Sequence, residues 1–221
     1  MERALIIGSS GGIGSALVSA LEARGAEVVG LSRKGNGLDV TSEESVRLLF
    51  NALEGPFDLI ITATGALEIN GTGPEKSLKQ LDPQAMAAQF ALNCIGPSLV
   101  LKHSLPLIAR GRRAVLATLS ARVGSISDNA LGGWVSYRTA KAAVNQVIRT
   151  TAIELARSHK QAICVALHPG TVATPFTEKY LSRYPSVSPD QAANNLLTVI
   201  DGLTTDQTGQ FFDWKGATVP W

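Results

Sequence analysis

Hydrophobic positions along this 221-residue chain fall into short, mainly apolar runs without polar alternation, and longer segments of helical period lie between most of them. Runs in which successive residues are apolar are typical of strands that are buried on both faces of a sheet. Five such runs occupy residues 4–7, 27–32, 57–62, 114–119 and 162–167. We expect one more strand within the C-terminal sequence TGQFFDWKGATVPW.

The segments between most of these runs have a helical period, as in IGSALVSALEARG and AAVNQVIRTTAIELARSH. Alternation of strands and helices implies right-handed crossovers and parallel strands. We therefore predict an α/β fold, a Rossmann-type doubly wound parallel sheet of about seven strands with helices on both faces. The length and the 45% hydrophobic content suit a single dinucleotide-binding domain over residues 1–221, if the glycine turn described below holds a nucleotide.

Charge and composition limit the binding partners and the cellular compartment that we expect for this protein. The net charge of +2 gives no basic field, so neither nucleic acid nor a membrane is expected as a partner. No apolar run approaches the roughly 20 residues of a membrane span, and the N-terminus lacks a signal-peptide layout. We expect a cytoplasmic protein whose two cysteines are free thiols. The three histidines lack metal-ligand spacing, so no metal site is predicted.

A glycine-rich turn, GSSGGIG, joins the first strand run to the first helical segment. Glycines let the backbone approach a pyrophosphate, and a helix N-terminus offers free N–H groups and a positive dipole end. The alternative is a tight turn whose glycines serve helix packing alone. Because the turn lies in the first strand–helix unit, we predict a nucleotide site formed by Gly8, Ser9, Ser10, Gly12, Ile13 and Gly14.

The end of the second strand run, LSRK, bears on which dinucleotide is bound. An NAD-selective site usually has a carboxylate there, which bonds the ribose 2′-hydroxyl. Here Ser32 stands in its place and Arg33 follows. A guanidinium can pair with a 2′-phosphate, so NADP(H) is favoured while NAD(H) stays possible. The alternative is a solvated basic turn.

Tyr137 and Lys141 are four residues apart in a segment of helical period, and therefore share one helix face. A free tyrosine has a pKa of about 10, and a neighbouring ammonium lowers that value by favouring the phenolate. Such a tyrosine can exchange a proton with a carbonyl or alcohol oxygen. This spacing is common on protein surfaces, so the pair gains meaning only from the glycine turn that accompanies it.

Taken together, these motifs resemble the short-chain dehydrogenase/reductase family over essentially the whole chain. A finer resemblance, carried by GSISDNALGGWVSYRTAKAAVN and by GQFFDWKGATVPW, is to the compact branch that includes the C-factor and Sniffer-like carbonyl reductases. The matching stretches are GSSGGIG, LDVT at 38–41, TATG at 62–65, LNCIG at 92–96, YRTAK at 137–141 and HPGTVATPF at 168–176.

The resemblance implies roles for individual residues. Tyr137 would be the general acid/base, Lys141 would lower its pKa and hold the nicotinamide ribose, and Asn93 would help to hold a water in a proton relay. Further residues would line the adenine, the ribose and pyrophosphate, and the nicotinamide: Asp39 and Val40; Ala63, Thr64 and Gly65; Pro169, Gly170, Val172 and Thr174. Thr62 and Thr64 replace the usual asparagines, so some hydrogen bonds must differ.

The hydroxyl that would complete such a site departs from the family pattern. Family strands often end Ser-Ser, three residues before a glycine, and Ala121 stands here in the second place. Ser120 fills the first place, 17 residues before Tyr137, and a shift of one residue along a strand turns a side chain to the opposite face. We favour Ser120 as the catalytic hydroxyl, which requires a bend or bulge there. Ser125, or no serine at all, are the alternatives.

Two functions from different classes fit these residues. The first is an NADP(H)-dependent oxidoreductase that interconverts a small carbonyl substrate and its alcohol. The second is an NADP(H)-binding sensor or signalling protein of C-factor type with little turnover. Trp134, Phe176 and Tyr180 are candidate pocket residues or ordinary packing aromatics, and a homodimer or homotetramer is possible.

Overall fold

The computed structural model describes residues 2–180 and 185–221, apart from the side chain of Tyr180. Its centre is a parallel sheet with the strand order β2-β1-β3-β4-β5-β6. The strands are β1 Arg3–Ile7, β2 Glu27–Leu31, β3 Leu59–Thr62, β4 Ala114–Leu119, β5 Ala162–His168 and β6 Phe211–Asp213. Each apolar run of the sequence therefore contains a strand, and the parallel pairing that we predicted is confirmed.

Helices connect the strands, and four of the seven α-helices in the described ranges begin at a residue whose side chain caps the first turn. Asp82 and Ser188, for example, accept hydrogen bonds from backbone N–H groups at the start of their helices, and a proline follows each. The α-helices are α1 Gly12–Ala23, α2 Arg33–Asn36, α3 Glu43–Asn51, α4 Pro83–Phe90, α5 Gly96–Ser104, α6 Val135–Ser158 and α7 Pro189–Gly202. Short 3₁₀ helices lie at Leu78–Gln80, Leu105–Leu107, Arg122–Gly124, Glu178–Tyr180 and Thr205–Gln207.

Both faces of the sheet are covered, as expected for a doubly wound fold. One apolar cluster packs α3, α5 and α6 on the sheet, for example through Phe50, Val100 and Ile148. The other packs α1 and α7 on the opposite face, for example through Leu17 and Leu196. Successive apolar residues of β4, such as Val115 and Leu116, belong to opposite clusters, which explains why that run is apolar apart from Thr118. None of the helices in the described ranges is long and apolar enough to cross a membrane.

The strand count differs from our expectation of about seven, because the described residues form six strands. The connection from β2 to α3 contains no further strand. It first forms α2 and then turns at Asp39, whose carbonyl accepts from Ser42 N–H. Leu38 and Val40 are buried in the core here, but they pair with no strand. The outer edge of β2 is consequently left as one edge of the sheet.

Candidate active site

The glycine turn lies between β1 and α1, where the strand order reverses and open α/β sheets hold their ligands. Gly8 has φ of +90°, and a Cβ there would lie 2.9 Å from the carbonyl oxygen of Ala63. A Cβ on Gly14 would lie 2.1 Å from the carbonyl oxygen of Gly8. Both positions therefore require glycine so that α1 can pack against the turn.

The N-terminus of α1 is suited to an anion. Its N-cap, Gly11, has no side chain with which to bond the first turn, and that turn contains no acidic residue. The N–H groups of Gly12, Ile13 and Gly14 lie in the first turn and have no intrahelical acceptor. Ser10 is exposed beside them, whereas Ser9 is half-buried against Gly30. Free N–H groups at the positive end of a helix fit a pyrophosphate.

The segment after β3 meets this turn and offers an unused hydroxyl. Thr64 Oγ1 is buried and lacks a hydrogen-bond partner among the described residues. The Thr64 side chain borders Gly8, since a Cβ on that glycine would lie 3.2 Å from Thr64 Cγ2. Buried hydroxyls are normally bonded, so this group fits a polar ligand seated at the turn. Gly65 follows with φ of +151°, and a Cβ there would lie 3.6 Å from Lys141 Nζ.

Of the four predicted cofactor residues that follow β2, two are buried and two are exposed. Ser32 is buried and caps α2, because its Oγ accepts from Gly35 N–H at 3.0 Å. Arg33 is the first residue of α2, and it is exposed. Asp39 is also exposed, and its pKa is lowered by hydrogen bonds from Thr41 and, less strongly, by the charge of Arg33. Val40 is buried against Gly96 on α5.

The loop after β5 reaches the same region from the other side. Gly170, next to Pro169, has φ of +79°, and a Cβ there would lie 3.0 Å from the Trp214 ring. Thr174 packs on the glycine turn so closely that a Cβ on Gly12 would lie 2.6 Å from its Cγ2. Val172 is buried beneath this loop. The structure thus brings Thr174 to the glycine turn.

Tyr137 and Lys141 lie one turn apart near the N-terminus of α6, with exposed fractions of only 5% and 3%. Lys141 Nζ is 5.8 Å from the centroid of the Tyr137 ring and donates to the carbonyl oxygen of Leu119 at 3.1 Å. Burial lowers the pKa of Lys141 to about 8. An amine and a phenol are therefore held together out of water, close to Gly65.

The pKa of Tyr137 differs from our expectation. We predicted that Lys141 lowers it, but burial raises it above its ordinary value in the structure. The physical reason is that desolvation disfavours the phenolate. The ammonium is nearly 6 Å from the ring centroid and is itself disfavoured by burial. Tyr137 is accordingly held as a neutral phenol, which is a proton donor.

Asn93 is fully buried in a π-helical turn, Ala91–Ile95, that joins α4 to α5. Its Nδ2 donates to the carbonyl oxygen of Ala66 at 2.9 Å, and its Oδ1 accepts from Ala66 N–H at 3.3 Å. Nδ2 also donates to Gln89 Oε1 at 2.6 Å. The Asn93 side chain thus fastens the segment after β3 next to Gly65, and its share in a proton relay stays a prediction.

A family assignment follows from comparison with known proteins. A family model described as enoyl-(acyl carrier protein) reductase matches residues 7–199. The chain belongs to the short-chain dehydrogenase/reductase family. Among curated relatives, it is 30% identical over 236 residues to a Rhodococcus 1-hydroxy-2-glutathionyl-2-methyl-3-butene dehydrogenase, with both chains fully covered. This short-chain dehydrogenase/reductase is therefore an oxidoreductase.

Other relatives agree with the finer resemblance. The C-signal protein of Myxococcus xanthus is 33% identical over 171 residues, which cover 77% of this short-chain dehydrogenase/reductase and 96% of C-signal. The NADPH-bound carbonyl reductase from chicken fatty liver has a TM-score of 0.84 at 24% identity, covering 100% of this chain and 99% of that one. The D. melanogaster carbonyl reductase Sniffer has a TM-score of 0.83 at 21% identity, with full coverage of both chains. At these identities, the structural likeness shows the fold.

The two candidate serine hydroxyls of this short-chain dehydrogenase/reductase form hydrogen bonds with groups other than the Tyr137 phenol. Ser120 Oγ donates at 2.6 Å to Oδ1 of Asn145, which lies two turns further along α6 than Tyr137. Ser125 Oγ accepts from Asp128 N–H at 3.1 Å. In the described part of the chain, neither hydroxyl bonds the Tyr137 phenol. Ser120 N–H continues the sheet by donating to the carbonyl oxygen of Leu167, and its catalytic role stays a prediction.

Aromatic rings flank the phenol of this short-chain dehydrogenase/reductase. The ring centroids of Trp134 and Phe176 lie 6.3 Å and 6.4 Å from that of Tyr137. Phe176 is 40% exposed, whereas Tyr137 beside it is buried. Trp134 and Phe176 are thus brought to the site, while the side chain of Tyr180 lies outside the described part.

Sequence reasoning missed two polar residues of this short-chain dehydrogenase/reductase. Gln89 bonds Asn93 and donates to the Leu67 carbonyl oxygen at 2.9 Å. Glu75 is buried and bonds Ser136, which is 61 positions away. A signal for Gln89 exists, since it precedes Asn93 by one helical turn. Glu75 lies in an irregular stretch without periodicity, so no local pattern indicates its partner.

Proposed function

We propose that this protein is an NADP(H)-dependent oxidoreductase that interconverts a small carbonyl compound and its alcohol. The observation that carries the proposal is the buried pair of Tyr137 and Lys141 beside Gly65. This pair lies next to the segment after β3, which borders the glycine turn. The NADPH-bound chicken reductase supports the choice of cofactor by similarity of fold. When bound, the nicotinamide group donates or accepts the hydride.

The residues around the glycine turn would hold the dinucleotide. The N–H groups of Gly12, Ile13 and Gly14 would receive the pyrophosphate, and Thr64 Oγ1 would gain the partner that it lacks. Arg33 would pair with the 2′-phosphate from the exposed turn after β2. The remaining predicted contacts, along the adenine and the nicotinamide, would come from Ser9, Ser10, Ser32, Asp39, Val40, Ala63, Pro169, Gly170, Val172 and Thr174.

Proton transfer is assigned to Tyr137. As a neutral phenol at physiological pH, it would donate its proton to the oxygen of a carbonyl substrate as that oxygen gains negative charge. Lys141 would stabilise the resulting phenolate, because its ammonium lies close to the ring and is sheltered from water. In the reverse direction, the phenolate would accept the proton of an alcohol.

The test is loss of nicotinamide absorbance when purified protein, NADPH and a panel of carbonyl compounds are mixed. We expect turnover on at least one compound and a fall of at least about 100-fold in kcat in Tyr137→Phe, typical of general-acid removal. Retained NADPH affinity in that variant would show that the fold survives. Unchanged turnover in Tyr137→Phe would refute the assignment of the acid.

A sensor or signalling role is the second candidate, because C-signal is a 33% identical relative and Ser120 is bonded to Asn145 rather than to Tyr137. This alternative predicts NADP(H) binding with negligible turnover, together with a phenotype that Tyr137→Phe retains. A cofactor-binding titration beside the turnover assay separates the two candidates. We further propose a single-domain cytoplasmic protein that forms a homodimer or homotetramer.

A further inference from the structure

Glu75 lies in the loop between β3 and α4, and its carboxylate is directed at the start of helix α6. The residue is only 8% exposed. Its Oε1 accepts from the Ser136 hydroxyl, and its Oε2 accepts from Ser136 N–H at 3.3 Å. The backbone carbonyl of Glu75 accepts from Trp134 N–H at 2.6 Å. One residue thus bonds two of the three positions that precede Tyr137.

Helix α6 needs this support, because its own sequence supplies no cap. Trp134 occupies the N-cap in the left-handed conformation, with φ of +53°, and makes no side-chain capping bond. The first turn of α6 contains no acidic residue. Glu75 supplies from a distant loop both the acceptors and the negative charge that helix N-termini favour. Its carbonyl also holds Trp134 in a conformation that a bulky side chain rarely adopts.

The segment that leads to Glu75 is anchored at its beginning, just after β3. Gln89 and Asn93, from α4 and the π-helical turn, bond the backbone at Leu67 and Ala66. Glu75 and Tyr137 also line the same small cavity, which has room for about one water molecule. The chain of contacts therefore runs from α4 through the loop to the residues immediately before the phenol.

We infer that Glu75 is a positioning residue for Tyr137, which it holds through Ser136 and Trp134 without touching the reacting atoms. The inference rests on the proposed role of Tyr137 as general acid. Small displacements of a proton donor reduce the rate of proton transfer, whereas cofactor binding at the glycine turn does not depend on them. Glu75 therefore governs kcat more than the affinity for cofactor.

Three variants distinguish a positioning role of the Glu75 side chain from an effect of its negative charge. Glu75→Ala removes every side-chain contact, and we expect kcat to fall about 10-fold to 100-fold, with the KM for NADPH changed less than about threefold. Glu75→Gln keeps an acceptor for Ser136 N–H and an amide that can bond the Ser136 hydroxyl, so kcat should stay within about threefold of the unaltered protein. The control is Glu154→Ala, which removes an exposed carboxylate of α6 and should leave kcat unchanged.

Two kinetic results would overturn the inference. One is an unaltered kcat in Glu75→Ala. The other is an equal loss in Glu75→Gln and Glu75→Ala, which would mean that the charge of Glu75 matters and not the position that it fixes.

A measurement that does not depend on turnover tests the inference about Glu75 separately from the proposed function. The chain has three tyrosines, so ring-labelled tyrosine gives few NMR signals, and Tyr137→Phe identifies that of Tyr137. We expect Glu75→Ala to displace this signal and Glu75→Gln to retain it. If Glu75→Ala fails to fold, Ser136→Ala takes its place with a smaller displacement expected. An unmoved Tyr137 signal refutes the inference, whereas absence of turnover in the unaltered protein refutes the proposed function alone.

Discussion

Ser120 and Asn145 are joined by a 2.6 Å hydrogen bond between β4 and α6, with the serine hydroxyl as donor. Both side chains are buried, with exposed fractions of 4% and 3%. The single hydroxyl proton of Ser120 is thus used to bind the helix that carries Tyr137 to the sheet. Replacement of Ser120 can therefore show whether its hydroxyl contributes to the free energy of unfolding or to kcat.

The first prediction concerns Ser120→Ala. The change leaves Asn145 Oδ1 without its donor, so we expect a loss of about 1–3 kcal/mol in the free energy of unfolding. Because the hydroxyl faces Asn145, kcat should fall no more than about threefold. Urea unfolding and steady-state kinetics measure the two effects. A fall of 100-fold or more in kcat with unchanged stability would support the catalytic role instead.

The second prediction concerns Lys141→Met. Burial lowers the pKa of Lys141 from 10.5 to about 8, and one pKa unit corresponds to about 1.4 kcal/mol. Keeping the amine charged in the folded protein at pH 7 therefore costs about 3 kcal/mol. After allowance for the lost bond to Leu119, we expect the variant to be about 2 kcal/mol more stable, with little remaining turnover. Lys160→Met, which alters an exposed lysine, is the control and should change neither quantity.

The same lysine gives the stability of the unaltered protein a pH dependence. Between pH 8 and 10.5 the unfolded chain keeps the Lys141 proton while the folded protein has released it, so stability rises with pH in that window. Lys141→Met should remove this rise. Urea unfolding at pH 7, 8 and 9 tests it, and equal slopes in both proteins would contradict the lowered pKa.

The third prediction concerns acid and His168, at the end of β5. Burial lowers its pKa from 6.5 to about 4, and the nearby Arg122 charge acts in the same direction. Its Nδ1 has no hydrogen-bond partner among the described residues. Between pH 6.5 and 4 only the unfolded chain takes up the proton, so stability falls as pH falls. Because the ring is partly exposed, we expect a loss of about 2 kcal/mol, which His168→Leu should abolish. A loss of the same size in His168→Leu would assign the acid sensitivity to other groups.

The fourth prediction concerns Arg33→Ala. Because a guanidinium–phosphate contact is a charge-assisted bond of about 1.5–3 kcal/mol, the affinity for NADPH should fall about 10-fold to 100-fold. NADH lacks the 2′-phosphate and serves as the internal control, with unchanged affinity. A fluorescence titration with each cofactor measures both. Equal losses for the two cofactors would show that Arg33 supports the fold of the turn and does not select the phosphate.

Patterns among residues close together in the sequence predicted most of the fold and the glycine turn. The apolar runs locate the strands because burial on both faces leaves no room for polar side chains, and Gly8 and Gly14 are required by backbone contacts within one strand–helix unit. Lys141 follows Tyr137 by one turn, so their proximity is also local.

Features that depend on distant partners could not be predicted in this way. The bond from Ser136 to Glu75 joins positions 61 residues apart, and the direction of Ser120 is set by Asn145, 25 residues away. The absence of strand pairing at Leu38 and Val40 could not be predicted either, since both are apolar whether they pair in a sheet or only fill the core. The raised pKa of Tyr137 depends on burial, which no spacing of residues reveals.

The π-helical turn at Ala91–Ile95 amounts to a helix with one residue more than an α-helical path needs. Because the turn absorbs this extra residue, it decides which of its own side chains face Ala66, while α4 and α5 run on as one helix on either side. Deletion of one residue within the turn would restore a regular α-helix and would disturb the bonds from Asn93 to Ala66. We therefore expect the helix to tolerate substitutions of its exposed residues, such as Ile95, far better than any change in its length.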